Sequence, residues 1–229
     1  MPSPDFTSRL SKKQAIAVFA WLPVHVFLLP LLATALYRRG LLDSIWAQLF
    51  VYAVGAVYMI LVLLRFLRRD FDALCDRPLR VLLLIFGGYW AIFFGETLIF
   101  LLFEKLSIAG SGENNEAVTA MIRENLGPTA AMAVFLAPFV EEPLFRAGFF
   151  GCLRRKSRLA AYVVSALLFG LYHVWSEALY DPSQLLYLLE YLPSGLALAY
   201  VYERSDSVWG CIFLHMLCNG VSVLAVAAS

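Results

Sequence analysis

The sequence predicts an all-α protein, a polytopic membrane helix bundle with about seven transmembrane helices. Three observations carry that prediction. The 229 residues are 61% hydrophobic, with a mean hydropathy of +0.74. Only 15% of them are charged, where a soluble domain is nearer a quarter. The apolar residues also gather into seven runs of about the 20 residues that one bilayer crossing needs.

In order, the runs are 14–37, 45–64, 79–103, 128–152, 159–179, 183–203 and 207–227. Arg38-Arg39-Gly40, Arg68-Arg69-Asp70, Gly127-Pro128, Arg154-Arg155-Lys156 and Asp181-Pro182 punctuate them. The first run has two features of a cleaved signal, Lys12-Lys13 ahead of it and Ala33-Thr34-Ala35 near its end. Its apolar core is longer than a signal core and Arg38-Arg39 follow at once, so it is expected to stay as a span. The longest connection, 104–127, reads as a loop and then a short amphipathic helix beginning near Glu113, with Pro128 opening the next span. No repeat, low-complexity stretch or linker interrupts the chain, so 1–229 reads as a single membrane domain.

Lysine and arginine in the short connections set the expected orientation. One side holds Arg9, Lys12, Lys13, Arg65, Arg68, Arg69, Arg77, Arg80, Arg154, Arg155, Lys156, Arg158 and Arg204; the other holds Arg38, Arg39, Lys105 and Arg123. This places the N-terminus in the cytoplasm and the C-terminus outside. The compact chain favours a prokaryotic cytoplasmic membrane. A net charge of +1 gives no electrostatic reason to bind nucleic acid. The cysteines, Cys75, Cys152, Cys211 and Cys218, form no Cys-x-x-Cys pair and lie in or beside apolar runs. They read as small buried residues rather than a disulfide framework or metal site.

The polar residues inside the runs carry the functional signal. Glu141, Glu142 and Arg146 fall within six residues of the fourth run. Even the lower estimates put one charge at the bilayer centre at about 2.5–3.5 kcal/mol. Glu142 and Arg146 are four apart and can pair on one helix face, which lowers the cost of both. A purely structural ion pair is the plain alternative, but two carboxylates for one arginine leave Glu141 in surplus. Pro138 and Pro143 remove amide donors from the same helix, and such breaks are tolerated beside protein or a water-filled cavity. The fifth run carries His173, four after Phe169, and the seventh carries His215 and Asn219, four apart. At about 1.5 Å per residue, all four of Glu141, His173, His215 and Asn219 lie near mid-depth and can share one cavity.

Those groups suit hydrolysis. A carboxylate beside a histidine can hold a water and take its proton. A second histidine and an asparagine amide can donate to the oxyanion of an attacked carbonyl. Glu96, near the middle of the third run, is expected to bond between helices or to line the same cavity, and Glu190, beside Tyr191 and Pro193, stays open. His25, near Pro23 and Pro30, reads as structural. Tyr172, Trp175, Tyr180 and Tyr187 read as packing or interfacial aromatics.

Glu141-Glu142-x-x-x-Arg146 followed by Ala147-Gly148-Phe149, then Phe169-x-x-x-His173, then His215-x-x-x-Asn219, resembles the CPBP family of intramembrane proteases. That family includes the CAAX prenyl endopeptidases and bacterial homologues linked to bacteriocin self-immunity; it more often has Arg-Gly where Arg146-Ala147 stand here. The approach Gly195-Leu196-Ala197-Leu198-Ala199-Tyr200-Val201-Tyr202, then Ser207-Val208-Trp209, is similar too. The resemblance covers 113–225, a CPBP-like catalytic core; 1–112 holds spans without a recognised motif. It implies that Glu141 and His173 activate the attacking water, that His215 and Asn219 stabilise the oxyanion, and that Glu142 and Arg146 support them. It also implies a glutamate-type endopeptidase without a cofactor, cutting near the membrane-associated C-terminal region of a protein. Two alternatives stand beside it. One is a zinc metalloprotease with Glu141, His173 and His215 as ligands, although no His-Glu-x-x-His motif is present. The other is a non-catalytic binding, immunity or scaffold protein using the same polar cluster. The expected partners are membrane lipids and a protein or peptide substrate, with no nucleic acid.

Overall fold

The computed structural model describes residues 6–108 and 111–229. Helix α1, Lys12–Arg38, opens with a capping box in which Ser11 and Gln14 satisfy each other's backbone amides. A π-helical turn, Val24–Leu28, lies between Pro23 and Pro30. Helix α2 is Ser44–Cys75 and α3 is Pro78–Lys105, whose proline occupies the first turn, where its missing N–H costs nothing. Helix α4, Glu113–Glu124, carries Glu113 and Glu116 in its first turn and Arg123 in its last, complementing the helix dipole.

The fourth apolar run forms one continuous helical rod, α5, over residues 126–153. The expected breaks at Pro138 and Pro143 do not interrupt it. Instead the rod alternates between α-helical stretches and π-helical ones at Ala131–Leu136 and Pro143–Phe150. A wider hydrogen-bond register lets the chain pass a proline that lacks a donor. Helix α6 is Arg158–Ala178, capped by Ser157. Helix α7, Pro182–Ser205, starts as a tight 3₁₀ stretch whose Ser183 amide donates to Asp181. Helix α8, Val208–Ala227, is capped by Ser207.

Six of these helices (α1, α2, α3, α6, α7 and α8) are long and apolar enough to cross a membrane. The rod α5 is the seventh expected span, and its three charges leave it less apolar than the rest. The expected ends hold within a few residues except at α2, which runs on through Arg65, Arg68, Arg69 and Asp70 to Cys75. Charged residues beyond the apolar run are good helix formers and prolong the helix outside it. No strand occurs among the described residues.

Helix α5 sits at the centre, against α2, α6 and α8. Val140, Glu142, Arg146 and Phe150 on it are fully buried. Apolar side chains such as Leu61, Leu82 and Leu98 instead face outward, as lipid-facing surfaces do. Small residues bring α6 and α7 together: a Cβ at Gly195 would lie 2.9 Å from the Ala166 Cα, and one at Gly170 2.8 Å from Leu188.

The two ends of the bundle differ. At one end the helices are tied by paired charges. Asp70 accepts from Ser8 Oγ and, at 3.0 Å, from the Val208 amide, while Arg69 pairs with it at 2.9 Å. Glu203 accepts from Arg154, from Arg158 at 2.8 Å and from the Tyr162 hydroxyl at 2.7 Å. The segment preceding α1 is drawn into this end, where the Thr7 and Ser8 amides donate to Asp206 at 2.7 and 2.8 Å. At the other end a cavity of about 780 Å³ opens between α3, α4, α7 and α8.

Candidate active site

The rod α5 turns Glu141 and Glu142 to different neighbours, as one helical step of about 100° requires. Glu142 is fully buried and faces Arg146 across one helical turn, with Arg146 Nε 3.0 Å from Glu142 Oε2. The guanidinium of Arg146 also lies 4.5 Å from the centre of the Phe169 ring and donates to Ser165 Oγ at 3.4 Å. Ser165 in turn donates to the Phe145 carbonyl at 3.0 Å. Arginine is thus held by a carboxylate, a ring face and a hydroxyl.

Glu142 does a second thing. Its Oε1 accepts from His215 Nδ1 at 2.8 Å. A carboxylate ion-paired with Arg146 can only accept, so Nδ1 carries the hydrogen and Nε2 faces the opposite way. His173 is fixed by the same logic. Its Nδ1 lies 2.8 Å from the Phe169 carbonyl one turn back, and a carbonyl only accepts. Nε2 of His173 is therefore the free ring nitrogen. Both free nitrogens turn toward one atom: Glu141 Oε2 is 3.8 Å from His173 Nε2 and 4.0 Å from His215 Nε2. That oxygen is buried and accepts no hydrogen bond from the protein. Separations of this size are too long for direct hydrogen bonds and suit one water bonded to both groups.

The cavity reaches the two histidines: Phe169, His173, His215 and Asn219 line it, together with Glu96, Glu190 and Tyr191, whereas Glu141 is not part of its wall. Asn219 donates one amide hydrogen to the Ala133 carbonyl at 2.8 Å, in the π-helical stretch of α5, so its second hydrogen is the one that can face the cavity.

Residues 124–221 match the family Type II CAAX prenyl endopeptidase Rce1-like. That stretch is less than half of the chain, and over it the chain is similar to this family. A relative in Bacillus subtilis (strain 168), named "Putative membrane peptidase YdiL", is 28% identical over 118 residues, which are 51% of this chain and 44% of that protein. The match thus spans less than half the length of that curated relative. No solved structure matches. The matched stretch takes in the whole of Glu141-Glu142-x-x-x-Arg146, Phe169-x-x-x-His173 and His215-x-x-x-Asn219.

Around these motifs the remaining expectations divide. Glu96 both lines the cavity and bridges helices, accepting from Ser194 Oγ at 2.6 Å. His25 is buried away from the cavity, with Nε2 3.2 Å from the Tyr172 hydroxyl. The cysteines are corrected: only Cys211 is fully buried, its Sγ donating to the Val208 carbonyl, whereas Cys152 and Cys218 are part-exposed and Cys75 is exposed. Cys75 closes the long extension of α2, beyond the packed bundle. No group of three or more His, Cys, Asp or Glu among the described residues has the arrangement of a metal site.

Two contacts were not foreseen. The Glu142–His215 bond joins residues 73 apart, and spacing along one helix cannot report it. Tyr191 stacks on His173, with ring centres 4.4 Å apart and planes 20° apart. Its sequence signal was the spacing Tyr187-x-x-x-Tyr191-x-x-Ser194-Gly195, which sets one face of α7 toward the cavity.

Proposed function

We propose that this chain is an intramembrane endopeptidase that hydrolyses a peptide bond near the membrane-associated C-terminal region of a protein substrate. The observation that carries this is the convergence of Glu141 Oε2, His173 Nε2 and His215 Nε2 beside an open cavity. The names of the matched family and relative, a CAAX prenyl endopeptidase and a membrane peptidase, support the same class.

The steps follow from the hydrogen-bond directions. A water held between Glu141 and His173 loses a proton to Glu141 as its oxygen attacks the carbonyl carbon. Charge then develops on the carbonyl oxygen. His215 meets it as a donor in its doubly protonated form, with Nδ1–H bonded to the Glu142 carboxylate and Nε2–H offered to the oxyanion. The second amide hydrogen of Asn219 is the other donor. The C–N bond breaks as Glu141 returns its proton to the leaving nitrogen, so the carboxylate is regenerated and one water is consumed. Arg146 neutralises Glu142 and so keeps the donor end of the site in place. By the lysine and arginine bias, the cavity opens on the face away from the cytoplasm.

The test is cleavage of a reporter whose C-terminal segment is anchored in the same liposomes, with products identified by mass spectrometry. His173→Ala and His215→Ala are expected to lose cleavage while remaining folded. Cleavage should persist in chelator, by a protein without stoichiometric zinc; loss in chelator with recovery on added zinc would instead support the metalloprotease form. A reporter that binds the wild type stably and is never cut would leave a binding protein in place of an enzyme.

A further inference from the structure

Helix α4 covers the mouth of the cavity, contributing Asn115, Val118, Thr119 and Ile122 to its wall. It is held there by a polar latch on α7 rather than by a broad apolar face; of its residues only Ile122 is buried. Glu190 Oε2 accepts from Asn115 Nδ2 at 2.7 Å and from the Gly112 amide at 3.4 Å. Tyr191 makes the other half of the latch. Asn114 Nδ2 donates to its hydroxyl at 3.0 Å, and the hydroxyl donates to Asn115 Oδ1 at 2.8 Å. Gln184 adds a bond to the Glu113 amide at 3.2 Å.

The same Tyr191 ring lies flat against His173. One side chain therefore touches both the cover of the cavity and a ring of the catalytic centre. The Nδ1 bond to Phe169 fixes one end of the His173 ring, but the ring can still swing about that bond. Its free Nε2 must point at Glu141 for the two to share a water, and the Tyr191 face limits the swing. If α4 lifts, the tyrosine loses both hydroxyl partners and its ring is no longer held at that angle.

We propose that Tyr191 is a positioning residue that couples the seating of α4 over the cavity to the orientation of His173, so that movement of α4 by an entering substrate regulates the centre. The kinetic consequence rests on the peptidase reading; the coupling itself does not. The chain has 3 histidines, so ring-labelled histidine gives a short NMR spectrum that single histidine substitutions can assign. The decisive variant is the double substitution Asn114→Ala with Asn115→Ala, which removes both hydroxyl partners of Tyr191 and the Asn115 bond to Glu190 while leaving the Tyr191 and His173 side chains themselves unchanged. It is expected to shift or broaden the His173 ring signals while those of His25 stay in place. Cleavage kcat should fall about tenfold with little change in KM, since misplacement of a reacting group costs turnover more than binding. Tyr191→Phe keeps the ring and should match the double variant; Tyr191→Leu removes it and should cost about 100-fold. His173 signals identical to wild type in the double variant and in Tyr191→Phe would overturn the proposal. His173 signals that respond in a protein that cleaves nothing would keep the coupling and remove the peptidase reading.

Discussion

The molecule buries two groups of charges and treats them differently. At the tied end, every oxygen of Glu203 accepts from a donor, and Asp70 is bonded on both oxygens. In the middle of the bundle, Glu142 is bonded to His215 through Oε1 and charge-paired with Arg146 through Oε2, while Glu141 Oε2, one residue earlier, has no hydrogen-bond partner and no arginine beside it. Buried polar groups are almost always paired. The first cluster follows that rule and ties the ends of α5, α6 and α7; in the second, Glu142 Oε2 and Arg146 Nε make no well-formed hydrogen bond but face each other as opposite charges 3.0 Å apart, whereas Glu141 Oε2 faces only two imidazole nitrogens, at 3.8 and 4.0 Å. The difference separates charge that holds the bundle from charge kept for chemistry.

Substitutions can break this division. The largest effect is expected from Glu203→Ala, which leaves Arg154 buried beside a missing carboxylate. Removing one partner of such a pair costs about 3–5 kcal/mol, seen as a lower thermal midpoint in detergent, with kcat per folded molecule unchanged. Glu142→Gln comes next and should cross the boundary. It weakens the hold on both Arg146 and His215, so a loss of about 3 kcal/mol in stability should accompany a fall in kcat. If its midpoint stays at the wild-type value, Glu142 is not the structural member of the pair. Arg158→Ala should do least. Its side chain is 45% exposed and Glu203 keeps Arg154 and Tyr162; exposed pairs contribute about 0–1 kcal/mol.

Much of the bundle was legible because lipid imposes a coarse rule. Long apolar runs mark the spans, and charges within them stand out against their cost. The four-residue spacing of Glu142 and Arg146 correctly paired them, and the surplus of Glu141 was visible from the count of one arginine for two carboxylates. What crosses between helices was not legible. The Glu142–His215 bond, the Tyr191–His173 stack and the contact of Thr7 and Ser8 with Asp206 depend on how each helix is rotated and where it sits. Hydropathy says which residues can be buried, not which buried residue meets which. The π-helical stretches of α5 were hidden for a related reason: the prolines announced a disturbed ladder, and the packing around the rod decided that it would widen and not break.

Glu141→Gln tests the central claim most directly. It keeps the size of the side chain and removes the charge that takes the proton. Cleavage of the liposome-anchored reporter should fall by about 10²–10⁴-fold, the contribution of a positioned base, with a thermal midpoint at or above that of the wild type because a buried charge without a protein donor is gone. A Glu141→Gln protein that cleaves at the wild-type rate would contradict the assignment of the water to Glu141.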